Sequence, residues 1–232
     1  MADSLMSRWH ARAAKYADSV GTDRHRAGDG AALRHRTNAP SVATTDQIRQ
    51  LADDGWLVVR GAFDVELIDR LIEETHSLVP TPDHGVVRGA CAGSSFVCGV
   101  AAHPLLGGLL RDLLGPEVWA VADLLVDLAH GPAAEATPAI PAAIDLGPSI
   151  DLLCGIPLTP WPDDDAGVRL GSAAVALSPG DLAILTPTTP VCAGARHGEH
   201  PRRAIVVAFS RHPGDGPFDV RVVEHGRLVG PR

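Results

Sequence analysis

One histidine–carboxylate triplet, His197-Gly198-Glu199, stands in this chain, with His200, His212 and His225 as conceivable further donors. Two imidazoles and a carboxylate on one face of a metal are what a non-haem iron centre requires, with the remaining positions left open for ligands. Gly194, Gly198 and Pro201 surround the triplet and mark a loop. A solvated or backbone-bonded loop histidine is therefore the expectation at 197. Asp163-Asp164-Asp165 resembles a cation-binding cluster, but it follows Trp161-Pro162 in a loop and is expected to be solvated. Cys91, Cys98, Cys154 and Cys192 have neither C-x-x-C nor zinc-finger spacing.

The elements that would position such residues fall into two textures. Residues 3–18 place Leu5, Trp9, Ala13 and Tyr16 at helical spacing, and 21–40 are rich in Gly, Arg and His without periodicity. A basic helix and mobile arm are thus expected over 1–43, and one folded domain over 44–232. Thr45 and Gln47 open a capped helix ending near Gly55. A strand at Trp56–Arg60 follows, then a helix from Asp64 to Ile72 that Asp64 can cap. Pro104–Leu114 reads as another helix, with Pro in its first turn and Gly115-Pro116 stopping it. Beyond Val118, short apolar runs alternate with Gly and Pro punctuation at 118–128, 150–158, 173–177, 182–186, 204–210 and 219–224. Helices first and strands afterwards fit a mainly β fold with flanking helices.

The formal charge of −8 argues against a general nucleic-acid binder. It divides into +3 over residues 1–40 and −11 over the rest, so a basic arm could pack on an acidic body or on a second copy in a homodimer. No apolar run reaches the length of a membrane span, and no secretory leader is visible. No membrane partner and a reduced, cytoplasmic location are expected.

Four segments carry a family resemblance. LADDGWLVVRGAFDVELIDRLIEE (51–74), HPLLGGLLRDLLGPEVWAV (103–121), LSPGDLAILTPTTP (177–190) and HPRRAIVVAFS (200–210) occur in order. Together they resemble the phytanoyl-CoA dioxygenase type of Fe(II)/2-oxoglutarate oxygenase, which implies a double-stranded β-helix (jelly-roll, cupin-like) core. The resemblance also implies where an iron site would lie. Its H-x-D motif falls best on Ala143-Ile144-Asp145, and its distal histidine on Val191. Both imidazoles are thus replaced by aliphatic side chains, and no metal is expected. The arginine that grips 2-oxoglutarate falls on Arg202, with Arg203 as the alternative. In this fold the first ligand pair comes from an early strand, so His197, after the PGD turn, is out of order. His130 closes the strand leading toward the site and is a candidate pocket residue. Cys192 lies beside the lost histidine, but strand alternation points it away from the face of Val191.

What remains is Asp145, Arg202 and His130 as candidate catalytic residues over an apolar floor. If Arg202 reaches Asp145 the two charges neutralise one another; if not, a desolvated carboxylate titrates above its usual range and suits acid–base work. The lead expectation is a metal-independent, non-oxidative tailoring enzyme performing proton transfer, dehydration, cyclisation or isomerisation on a hydrophobic small molecule in biosynthesis. No cofactor is expected for it. A catalytically silent ligand-binding subunit, paired with an active paralogue, is the second reading. The third is a genuine Fe(II)/2-oxoglutarate oxygenase with atypical ligands, and only there would Arg202 hold 2-oxoglutarate.

Overall fold

The computed structural model describes residues 41–76, 78, 85–89, 94–128, 150–161, 168–193, 202–214 and 219–229. The helix expected at 3–18 and the basic arm lie outside the described residues.

The first element among the described residues is α1 (Thr45–Asp54), capped on both ends by local chemistry. The Thr44 hydroxyl accepts from the Gln47 amide while the Gln47 side chain accepts from the Thr44 amide. Gly55, in the left-handed region at φ 78°, ends the helix. A Cβ there would lie 2.6 Å from Thr189 Oγ1, so glycine is required on both counts. β1 (Trp56–Val59) follows, and then α2 (Val65–His76), one turn longer than the sequence suggests, with Asp64 accepting from the Leu67 amide at 2.9 Å. β2 (Gly85–Arg88), α3 (Ser95–Ala101) and α4 (Pro104–Leu114) complete the helical half.

The β half comprises β3 (Val118–Leu128), β4 (Leu152–Pro157), β5 (Val168–Leu170), β6 (Ala173–Val175), β7 (Leu182–Leu185), β8 (Val191–Ala193), β9 (Arg202–Ser210), β10 (Val220–Glu224) and β11 (Arg227–Leu228). Among the described residues they form two antiparallel sheets. The larger runs β1-β7-β4-β9-β3-β10-β11, with β2 also on β3; the smaller runs β6-β5-β8. This is the mainly β, double-stranded β-helix arrangement that the sequence suggests.

The large sheet is covered on both faces, and strand alternation divides its side chains. Ile205, Val207 and Phe209 of β9 face α1–α4, packing with Leu51, Leu71, Val97, Leu106 and Leu110. Ala204, Val206 and Ala208 of the same strand face the small sheet and pack with Val168, Leu170, Val175 and Val191. A strand buried on both faces loses the in/out polarity pattern, which is why β9 reads as an unbroken apolar run. Among the described residues no single helix is long and apolar enough to cross a membrane; α3 and α4 would do so only as a pair bent by 41°.

The PGD turn joins β6 to β7. Gly180 sits at φ 93°, and a Cβ there would lie 2.7 Å from the Phe63 carbonyl oxygen. Asp181 accepts from the Ser178 amide (2.9 Å), the Gly61 amide (3.0 Å) and the Arg60 guanidinium (2.7 Å). Burial pushes its carboxyl up, but these donors together hold it below its ordinary value. The aspartate of this turn is a structural knot that ties β1 to β7.

Candidate functional site

The space between the two sheets is where this fold can place a site. Leu124 and Val126 of β3, Leu153 of β4, Ala183 and Leu185 of β7, and the even-numbered residues of β9 line it on one side. The small sheet and Trp161, which is 2% exposed, close the other. All of these contribute carbon surface.

Arg202 is the exception. It heads β9 opposite Leu128 of β3, and alternation with Ala204 and Val206 puts it on the interior row. The residue is 3% exposed, and its Nε and Nη2 atoms are shut off from solvent. Arg203 falls on the opposite row, with Ile205 and Val207. Geometry therefore separates the two arginines that the sequence leaves as alternatives: only Arg202 belongs to the row that lines the interior.

The backbone beside Arg202 is held from two directions. On one side β3 pairs with it through Asp127 and Leu128. On the other, the chain leaving β4 bends around Arg203. The Leu158 amide donates to the Arg203 carbonyl at 2.8 Å, Trp161 Nε1 donates to the same oxygen at 3.3 Å, and the Arg203 amide donates to Thr159 Oγ1 at 2.9 Å. Trp161 is in turn fixed by a two-way backbone bridge to Leu177, both bonds 2.7 Å. Sequence reasoning does not single out Thr159 or Trp161 as site residues. Their contacts are to backbone some forty residues away (|i−j| of 44 and 42), and no local motif announces them.

Val191 begins β8 opposite Leu170 and is 3% exposed within the interior cluster. Cys192, half-buried and opposite the exposed Arg169, takes the other face, as alternation predicts. Another buried polar group, Asp123, is 3% exposed but lies on the helix-facing side of β3. It borders Cys98, whose thiol is pushed up first by burial and then by the Asp123 charge. Asp123 is thus separate from the interior row.

His130, Ala143 and Asp145 lie outside the described residues, as do Asp163-Asp164-Asp165, His197, Glu199 and His200. Arg202 and Val191 are therefore the sequence-derived site positions whose surroundings are visible. They test the fit of an iron centre at one ligand position. The resemblance implies an imidazole of the facial triad where β8 begins; Val191, which stands there, carries no lone pair and is packed in the apolar cluster between the sheets. Among the described residues no group of three or more His, Cys, Asp or Glu side chains is arranged to hold a metal. Val191 supplies no donor to such a centre, and no chemistry through it is derived below.

No protein-family model matches the sequence, and no curated protein matches it. Solved structures do. The non-heme alpha-ketoglutarate dependent epimerase SnoN from nogalamycin biosynthesis superposes with a TM-score of 0.60 at 17% identity, covering 71% of this chain and 80% of that one. EctD from S. alaskensis gives 0.63 at 13% identity, over 73% and 78% of the two chains. HygX from Streptomyces hygroscopicus, with nickel and 2-oxoglutarate bound, gives 0.59 at 12% identity, over 72% and 87%. Identities this low speak to fold alone, and the fold shared with these structures is the double-stranded β-helix.

Proposed function

We propose that this protein is a metal-independent, non-oxidative tailoring enzyme that acts on a hydrophobic small-molecule carboxylate or thioester. The observation that carries the reading is the placement of Arg202, 3% exposed on the interior row, beside the apolar cluster that the described residues form there, Val191 among them. A guanidinium presents a planar fork of donors that matches a carboxylate in bidentate fashion. At the head of that row it would orient an anionic head group while the hydrocarbon body gains from burial. Asp145 would then take a proton from the carbon beside the carbonyl and return it at another face or position, which amounts to epimerisation or isomerisation with no net redox change. His130 is a candidate partner for that transfer. The neighbouring fold includes enzymes named an epimerase and a carbocyclase, each described as alpha-ketoglutarate dependent. They lend precedent for tailoring chemistry on this framework; the metal-independent route is specific to the residues of this chain.

The test is solvent exchange. Hydrophobic carboxylates and their CoA thioesters are incubated with the protein in D2O, and deuterium uptake at carbon is followed by mass spectrometry. Uptake should persist in EDTA and vanish in Asp145→Asn and Arg202→Ala. Uptake lost on chelation refutes metal independence.

A second reading, a catalytically silent ligand-binding subunit, is favoured by the continuity of the aliphatic cluster from β3 across to β8. It predicts probe binding without exchange, unchanged by Asp145→Asn.

A further inference from the structure

The bend after β4 makes three hydrogen bonds to the backbone N–H and C=O of Arg203, the residue after the interior guanidinium. β4 pairs with β9 as far as Pro157 opposite Ala204. An ordinary continuation of that ladder would give Arg203 backbone partners alone. Instead Thr159, half-buried, supplies a side-chain acceptor to the Arg203 amide, and the buried Trp161 supplies an indole donor to its carbonyl. The indole also stands within the interior cluster, so its ring borders the space into which the Arg202 row faces. Both groups therefore bear on the backbone from which Arg202 projects.

We infer that Thr159 and Trp161 are positioning residues for Arg202: by holding the Arg203 N–H and C=O from the β4 side they fix the direction of the guanidinium toward a bound carboxylate. This rests on Arg202 being the carboxylate anchor, as proposed above. A bidentate contact demands a defined orientation of the fork, and loosening one side of its backbone by loss of a hydrogen bond should weaken ligand binding more than it weakens the fold. A purely structural role would do the reverse.

The probe is decanoate, titrated calorimetrically into the full-length protein, with decanol as the uncharged control. Thr159→Val keeps the shape and removes the acceptor; Thr159→Ser keeps the hydroxyl. Trp161→Phe keeps an aromatic plate and removes the indole donor. Thr159→Val and Trp161→Phe should each weaken decanoate binding by about three- to tenfold, Thr159→Val should leave decanol binding unchanged, and the loss specific to decanoate should vanish in both when Arg202 is already Gln, because groups that act through one residue couple in a double-mutant cycle. Thr159→Ser should restore the wild-type affinity. If decanoate binds in an Arg202-dependent manner but Thr159→Val and Trp161→Phe match the wild type, the positioning role is overturned and the anchor stands. If wild type shows no Arg202-dependent binding of decanoate, the anchor and the positioning role fall together.

Discussion

Asp181→Ala removes an acceptor on which three donors converge: the Ser178 amide, the Gly61 amide and the Arg60 guanidinium. Hydrogen bonds to a charged acceptor contribute about 1.5–3 kcal/mol each, whereas an exposed ion pair contributes at most about 1 kcal/mol. Arg60 is 56% exposed and the Asp181 side chain 7%, so the guanidinium contact takes the lower figure. Gly61 and Ser178 are themselves exposed, and water recovers part of their amide bonds once the carboxylate is gone. The expected loss is about 2–4 kcal/mol, a fall in Tm of about 4–16 °C for a chain of this size. Arg60→Ala should cost no more than about 1 kcal/mol.

The same carboxylate gives the loss a pH signature. Burial raises the Asp181 pKa, but its hydrogen bonds from Ser178 and Gly61 and the Arg60 charge together leave it below the ordinary value. A group depressed in the folded state contributes stability above its unfolded pKa and loses it as the pH falls through the folded one. The gap between wild type and Asp181→Ala, measured by urea unfolding, should be full at about pH 7 and shrink below about pH 4. A gap under about 0.5 kcal/mol at neutral pH, or one that acid does not shrink, would refute the knot.

Further outcomes follow from single sites. Val191→Ala should destabilise by about 1–3 kcal/mol, and the isosteric Val191→Thr by a similar amount, in the same urea assay; neutrality of both would mean that residue 191 borders open space rather than packed carbon. Asp112 accepts from the Val42 and Ala43 amides at 2.5 and 3.0 Å, so Asp112→Ala should speed hydrogen exchange at those two amides by about tenfold, read by NMR. Cys154 is fully buried and burial pushes its thiol far up. Iodoacetamide at about pH 8 should therefore label it only as fast as the protein unfolds, by peptide mass spectrometry.

How much of this was legible depends on whether the signal is local. The Thr44–Gln47 capping box and the Asp64 cap are contacts three residues apart, and the sequence reads both helix starts correctly to within a residue or two. β3 stands out because eleven residues that are apolar except at Asp123 and Asp127 follow soon after Gly115-Pro116. By contrast β5 and β8 have three residues each, too few for any period to register, and α3 (SFVCGVA) shows no polar face because most of its residues are buried. β9 begins two residues earlier than its apolar run suggests, since the two arginines are held in strand by pairing with Leu128 and Asp127. That pairing also decides which arginine turns inward, information that no spacing along the chain contains. Thr159 and Trp161 are silent in the sequence for the same reason: their partner is a backbone unit on another strand.

Val191 and Arg202 stand in opposite relation to the energetics of the interior. An aliphatic residue at the head of β8 gains by burial, about 1.5–3 kcal/mol for a side chain of this size, and needs no partner to remain there. A guanidinium on the interior row is costly: removing such a charge from water costs several kcal/mol even after relaxation, and well-packed carbon in its place is often neutral or stabilising. Packing alone would therefore favour an aliphatic residue at 202, as at Ala204, Val206 and Ala208 further along the same row. The interior has the composition of a core everywhere in that row except at the head of β9. The proposed carboxylate recognition draws on the charge at that position, with Arg202 as its anchor at the head of β9.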